Sequence, residues 1–201
     1  MANSQATFGF KHIGYLGGGA PDYQFATRAI SKTLATAIGF GDPVFRVGST
    51  SAYITQATNA TTNPIEGIFY GCTYQPTGGN SVVWSAGWPG NTVAQDATAY
   101  IIDAPNAIFL AATLLTSITT GQIGQLVGFT TGTPNTTGAM NSIATVDQST
   151  LATTTGTTTN ALPFRVYGMY NGIGNGSDTT TNYNWVVVSY NNQINRSFSG
   201  Y

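Results

Sequence analysis

The side chains of this sequence that could do acid–base or metal chemistry are few and widely spaced. There is one histidine, His12, one cysteine, Cys72, and seven acids: Asp22, Asp42, Glu66, Asp96, Asp103, Asp147 and Asp178. A standard zinc site needs several His or Cys ligands at motif spacing, which one of each does not supply. A Ser-His-Asp triad would have to hold His12 rigidly from a segment that reads as an extended arm. Two of the acids could meet in space as a glycosidase-like pair, yet no spacing selects them. Asp42 and Asp103 stand beside turns, where a carboxylate ordinarily bonds the local backbone. Gly17-Gly18-Gly19 lacks the Lys-Ser/Thr and the strand-to-helix setting of a phosphate loop. Asn175-Gly176-Ser177-Asp178 offers Ca²⁺ a single acid. Cys72, inside Ile68-Phe69-Tyr70-Gly71-Cys72-Thr73-Tyr74, reads as a buried structural thiol rather than a nucleophile, and a lone cysteine forms no intramolecular disulfide. The expectation is a protein with no catalytic residues, cofactor or metal.

The elements that must carry these residues read as strands. Thr98 to Leu115 is the centre: Tyr100-Ile101-Ile102 and Ile108-Phe109-Leu110 are apolar runs on either side of Asp103-Ala104-Pro105-Asn106. Asp103 can bond backbone two residues on, Pro105 presets φ, and Asn106 tolerates left-handed geometry, so the stretch predicts a hairpin or sharp corner with both arms buried. Strands are also expected at Val44–Val47, Ala52–Gln56, Ile65–Tyr74, Ser81–Trp84, Pro163–Tyr170 and Tyr183–Tyr190. Gly67 and Gly71 suggest bulges or close backbone approach within theirs. Tyr23–Ile30 could be a further strand, and Ala29–Ile38 is the best short helix candidate. Val146–Leu151 reads as a short strand or a turn of helix. Trp84 and Trp88 read as a hydrophobic plug in the core or as a contact patch.

Three regions follow: an N-terminal arm at 1–22, a single β domain at 23–190, and a polar tail at 191–201. Within the domain, 116–159 is a Thr/Gly-rich excursion that buries too little apolar surface to form a core alone. The fold class is all-β, a compact barrel or sandwich of β-tulip or jelly-roll type, with an extended arm and a long Thr/Gly-rich loop region.

Charge sets the chain apart. Of its 201 residues, 6% are charged and the formal net charge is −1, against roughly 25% charged in an ordinary soluble protein. A Thr/Ser/Asn/Gln/Gly surface hydrates well and repels neighbours weakly, which suits packing against other subunits. Six Lys and Arg spread thinly make no basic patch, so no nucleic-acid partner is expected. No apolar run is long enough to span a membrane as a helix, and residues 1–30 lack a signal-peptide pattern, so synthesis in a cytoplasm is expected. The sequons at Asn59, Asn135, Asn175 and Asn195 are those expected by chance in so Thr- and Asn-rich a chain.

Several pieces together resemble a family of tailed-phage virion structural proteins. They are the opening Thr7-Phe8-Gly9-Phe10-Lys11-His12-Ile13-Gly14-Tyr15-Leu16-Gly17-Gly18, then Gly41-Asp42-Pro43-Val44 with Thr55-Gln56-Ala57-Thr58, then Pro64-Ile65-Glu66-Gly67-Ile68-Phe69-Tyr70-Gly71-Cys72. Trp88-Pro89 followed by Ala99-Tyr100-Ile101-Ile102-Asp103-Ala104-Pro105-Asn106 is similar too. The likeness spans roughly residues 5–110, with weaker echoes at 162–168 and 186–193. It implies a capsid decoration (cement) protein and carries no catalytic residues; the Thr-rich 116–159 region departs from it.

On that resemblance the expected partners are a major capsid protein and further copies of the chain, as a trimer or else a dimer, on the virion surface after synthesis in a host cytoplasm. The contact candidates are Phe8, Phe10, His12 and Tyr15 on the arm, as aromatic anchors or an added strand, and Arg196, Phe198 and Tyr201 on the tail. For Phe8, Phe10 and Tyr15 the competing reading is packing inside the protein's own first strand. Other function classes stay open: a carbohydrate-binding surface module using Trp84, Trp88 and Trp185, a hydrolase with an unrecognised carboxylate pair, and a low-copy head-tail or fibre protein.

Overall fold

The computed structural model describes residues 2–48, 51–58, 64–90, 93–135, 139–152 and 162–196. Side chains that alternate between two environments every second residue suit a pleated sheet. Among the described residues the chain forms twelve strands and no α-helix. They are β1 Lys11–Tyr15, β2 Ala26–Ile30, β3 Pro43–Arg46, β4 Ile54–Gln56, β5 Gly67–Tyr74, β6 Val83–Ser85, β7 Ala97–Ile102, β8 Ala107–Ala112, β9 Leu126–Thr130, β10 Thr145–Ala152, β11 Phe164–Met169 and β12 Trp185–Tyr190.

Two antiparallel sheets result. One has the order β1-β8-β12-β11-β9-β10, and the other the order β2-β7-β5-β3-β4 with β6 paired to β5 beside that path. The all-β expectation holds, in the form of a two-sheet sandwich. The turn after β7 is a corner and not a hairpin. Ile102 ends a strand of the second sheet, Ala107 begins one of the first, and Asp103–Asn106 carries the chain between the layers. Ala107 N–H closes this corner on the Ala104 carbonyl at 3.0 Å.

The inter-sheet core packs Phe10, Ile68, Ile102, Phe109, Val127, Phe129, Phe164, Val166, Val186, Val188 and Tyr190. Strands β8, β11 and β12 feed it with alternate residues. A second core lies on the other face of the second sheet. There Phe69, Cys72, Ala99 and Ile101 pack against Ile38, Trp88 and Val93 from the connecting segments. Ile38 and Trp88 hold those segments together, N–H to carbonyl in both directions, at 3.1 and 2.8 Å. A sheet covered on both faces needs apolar residues at consecutive positions. That is why β5 and β7 read as unbroken runs, Ile68-Phe69 and Ile101-Ile102, with neighbours facing opposite cores.

Three expectations change. The helix expected over Ala29–Ile38 is absent: Ala29 and Ile30 complete β2, which pairs along β7 from Ala26↔Ile101 to Ile30↔Ala97. The segment 116–159 is no mere excursion, because β9 and β10 extend the first sheet and bury Leu126, Val127, Phe129, Ala144 and Val146. Its Thr run at 153–159 lies outside the described residues. Within the arm, residues 11–15 are β1, an edge strand paired with β8 from Lys11↔Leu110 to Tyr15↔Ala107.

Candidate functional site

The N-terminal residues are tied to their own chain. The side chain of Asn3 accepts from Gly176 N–H at 2.9 Å and donates to the Asp178 carbonyl at 2.6 Å. Ser4 N–H donates to Asn175 Oδ1 at 2.7 Å. The loop before β12, read as a weak Ca²⁺ candidate, thus spends the Asn175 side chain on the start of the chain, while the Asp178 carboxylate accepts from Thr180 N–H and Oγ1. Phe8 follows, its ring 5.0 Å from Trp185 in an edge-on packing.

Phe10 and His12 are corrected as contact candidates. Phe10 is 1% exposed and stacks on Phe164 in the inter-sheet core, so the competing reading of packing inside the first strand applies. His12 is 6% exposed, with Nε2 donating to the Gly14 carbonyl at 3.0 Å. Its ring packs between Tyr15 and Phe109. Burial holds its pKa below the ordinary value, ahead of opposing effects of the Gly14 carbonyl and Asp22. Tyr15 is half-buried and donates its hydroxyl to Asp22. Its own pKa is pushed up to about 12, by desolvation first and Asp22 second. Arg196 ends a short 3₁₀ turn over Ile194–Arg196. Phe198 and Tyr201 lie outside the described residues.

What the arm does help to build is a cleft of ≈ 290 Å³ lined by Phe8, Lys11, Phe40, Leu110, Asn141 and Trp185. Lys11 and Leu110 are cross-strand partners of β1 and β8. Phe40 and Asn141 come from an isolated bridge between two connecting segments. Three aromatic rings and a leucine give the cleft a mainly apolar wall, to which Lys11 and Asn141 add a cation and an amide. Phe40 and Asn141 escaped sequence reasoning because neither stands in a motif.

Two buried polar clusters account for three of the acids. Asp42 is fully buried and accepts from Ser142 Oγ, from Gly39 N–H at 2.6 Å and from Gln56 Nε2 at 2.8 Å. Burial pushes its carboxyl up to about 6, against the downward pull of those three donors. Gly9, at φ +71°, fits this junction because a Cβ there would lie 2.6 Å from Ser142 Cβ. Glu66 is also fully buried: its Oε1 pairs with Arg28 Nε and, at 2.9 Å, with Arg46 Nη2. Arg28 reaches on to Asp103 at 3.3 Å. Gln193 Nε2 donates to the carbonyls of Glu66 and Asp103, which fastens the chain after β12 to both. These groups are bonded to one another across strands and open on no cleft described above. Cys72 is buried, with its thiol pushed up to about 12 by desolvation. No cluster of three or more His, Cys, Asp or Glu able to hold a metal occurs among the described residues.

The three tryptophans part company. Trp88 is fully buried and donates Nε1–H to the Leu34 carbonyl at 3.2 Å, so it serves the second core. Trp185 is half-buried beside Phe8. Trp84 is 59% exposed on β6, next to Val82 at 68% and Val83 at 37%. Its ring lies across Gly71, where a Cβ would stand 2.8 Å from Cζ2. Strand β6 pairs only with β5 among the described residues, leaving its far edge open.

Compared with protein-family models, with curated proteins and with solved structures, the chain matches none.

Proposed function

We propose that this chain is a non-enzymatic capsid decoration protein. It binds the outer surface of a phage head and stabilises the joints between major capsid subunits. One observation carries the reading: a nearly uncharged chain exposes apolar side chains, among them Val82 and Trp84 at an open edge, Tyr167 on a sheet face and Ile173 in a loop. Such side chains gain by being covered, and covering them desolvates few charges. Each copy that bridges two subunits adds its binding free energy to what shell opening must overcome. The sequence resemblance adds the expected setting, with the major capsid protein and further copies of the chain as partners on the virion surface. Stoichiometry in purified virions tests it. A copy number equal to the major capsid protein, or a simple fraction of it, is expected; a few per cent would point to a tail, vertex or fibre component.

The aromatic cleft favours a second reading, a carbohydrate-binding surface module. Rings of Phe8, Phe40 and Trp185 with Lys11 and Asn141 match the mixture of apolar faces and polar tips that sugars offer. Glycan-array binding that is lost in Phe40→Ala would establish it, and silence across the array would remove it.

A further inference from the structure

We propose that β6 is a self-association strand, which pairs antiparallel with β6 of a second copy of this chain about a two-fold axis at Val83. The inference stands apart from the capsid reading and concerns the free protein.

Edge strands in soluble proteins are ordinarily protected by charges, proline or a bulge, because an open row of N–H and C=O groups templates pairing. Among the described residues, strand β6 has an unpaired far edge and none of these devices. Residues 75–95, which contain it, include no Asp, Glu, Lys, Arg or His. Val83 and Trp84 in this strand, and Val82 just before it, are apolar and at least 37% exposed.

The neutral charge and the order of these residues select a second copy as occupant. Two neutral edges meet without like-charge repulsion. In a two-fold register centred on Val83, Trp84 of each copy stands opposite Val82 of the other, and Val83 opposes Val83. Aromatic against β-branched is a favourable cross-strand pair, and the symmetry supplies it twice. A three-residue strand offers few backbone bonds, so these side chains carry most of the association. Trp84 already packs against Gly71, which limits the side-chain entropy lost on pairing.

The experiment is sedimentation velocity on the full chain over a concentration series reaching the millimolar range. The wild type is expected to dimerise reversibly. Val83→Lys sets two like charges directly opposite each other and is expected to weaken dimerisation by about tenfold or more. Val83→Glu is expected to do the same. An equimolar mixture of the two variants is expected to associate again, because the charges then attract across the axis. Leu115→Lys, on an exposed residue outside the strands, is expected to change nothing. Circular dichroism and thermal melting check that each variant folds, with Val82→Lys as the substitute should Val83→Lys not fold. A wild type that stays monomeric throughout overturns the proposal. So does a dimer indifferent to the β6 charges, or a mixture that fails to reassociate.

Discussion

The ring of Phe10 lies parallel to that of Phe164, with centroids 4.5 Å apart and planes 14° from coplanar. This pair joins the start of β1 to the centre of the first sheet. It separates the two aromatics that the sequence places side by side on one arm. Phe10→Ala is expected to lower stability by about 3–5 kcal/mol, the cost of emptying a buried phenylalanine site. Phe8→Ala, at a half-buried position, is expected to cost about 1 kcal/mol by partial loss of apolar burial. Urea unfolding of the two variants measures the difference.

Asp42 predicts an unusual pH dependence. Its folded pKa, about 6, exceeds the ordinary carboxylate value of 3.8. The folded state therefore holds the proton more tightly than the unfolded state. The contribution of this group is most favourable below pH 4 and is lost as pH rises to 6, by about 3 kcal/mol for a shift of some two units. In Asp42→Asn the amide oxygen can accept from Gly39 and Gln56 while the nitrogen donates to Ser142 Oγ. That variant is expected to match the wild type near pH 4 and exceed it at pH 7.5, as thermal melts at the two pH values would show. His12, with its lowered pKa, acts in the opposite sense, so its contribution falls as pH drops through its unfolded value near 6.5.

Glu66 is the shared acceptor for two arginines that retain 22% and 39% side-chain exposure. Glu66→Ala is expected to cost about 2 kcal/mol, less than for a fully buried pair because water still reaches both guanidinium groups. Arg46→Ala removes the more exposed partner and is expected to cost below about 1 kcal/mol. Denaturant midpoints of the two variants test that order.

Gly71 makes room for Trp84 and for the Ser85 carbonyl, which a Cβ would approach to 2.8 and 3.0 Å. Gly71→Ala is expected to destabilise the fold by about 1–3 kcal/mol through overpacking. It is also expected to shift Trp84 emission as β6 moves off β5. Fluorescence of the folded variant checks the second point.

Much of the sandwich was legible from period-two patterning: β3, β5, β11 and β12 fall where apolar and β-branched runs stand between Gly, Pro and Asn turns. The corner at Asp103–Asn106 was legible as a turn, but its crossing between sheets was not. Sheet membership depends on partners such as Arg28 and Val187, which pair with Ala99 and Leu110 from distant parts of the chain. Threonine content hid β9 and left β10, at Val146–Leu151, open between a short strand and a turn of helix, although the inward positions Val127, Phe129 and Val146 are apolar. The spacing of Phe8, Phe10 and His12 was strand-like, yet nothing local tells a free arm from an edge strand whose partner lies about a hundred residues away. The cleft was least legible of all, since it joins β1 and β8 to a bridge between Phe40 and Asn141.

The order of strands in the first sheet bears on how the protein can be made. Strand β12 lies between β8 and β11, although it is the last strand among the described residues to be synthesised. Until Trp185–Tyr190 is made, the strand between β1-β8 and β11-β9-β10 is missing, and the backbone of the two groups is linked through the bridge of Thr113 and Leu114 to Val146. Each group presents an unpaired edge to the gap that β12 fills. Completion of this layer therefore waits for β12, and its folding is dominated by contacts distant in sequence and correspondingly slow. A chain terminated before residue 185 would yield no smaller working domain, only two open sheet edges prone to aggregate.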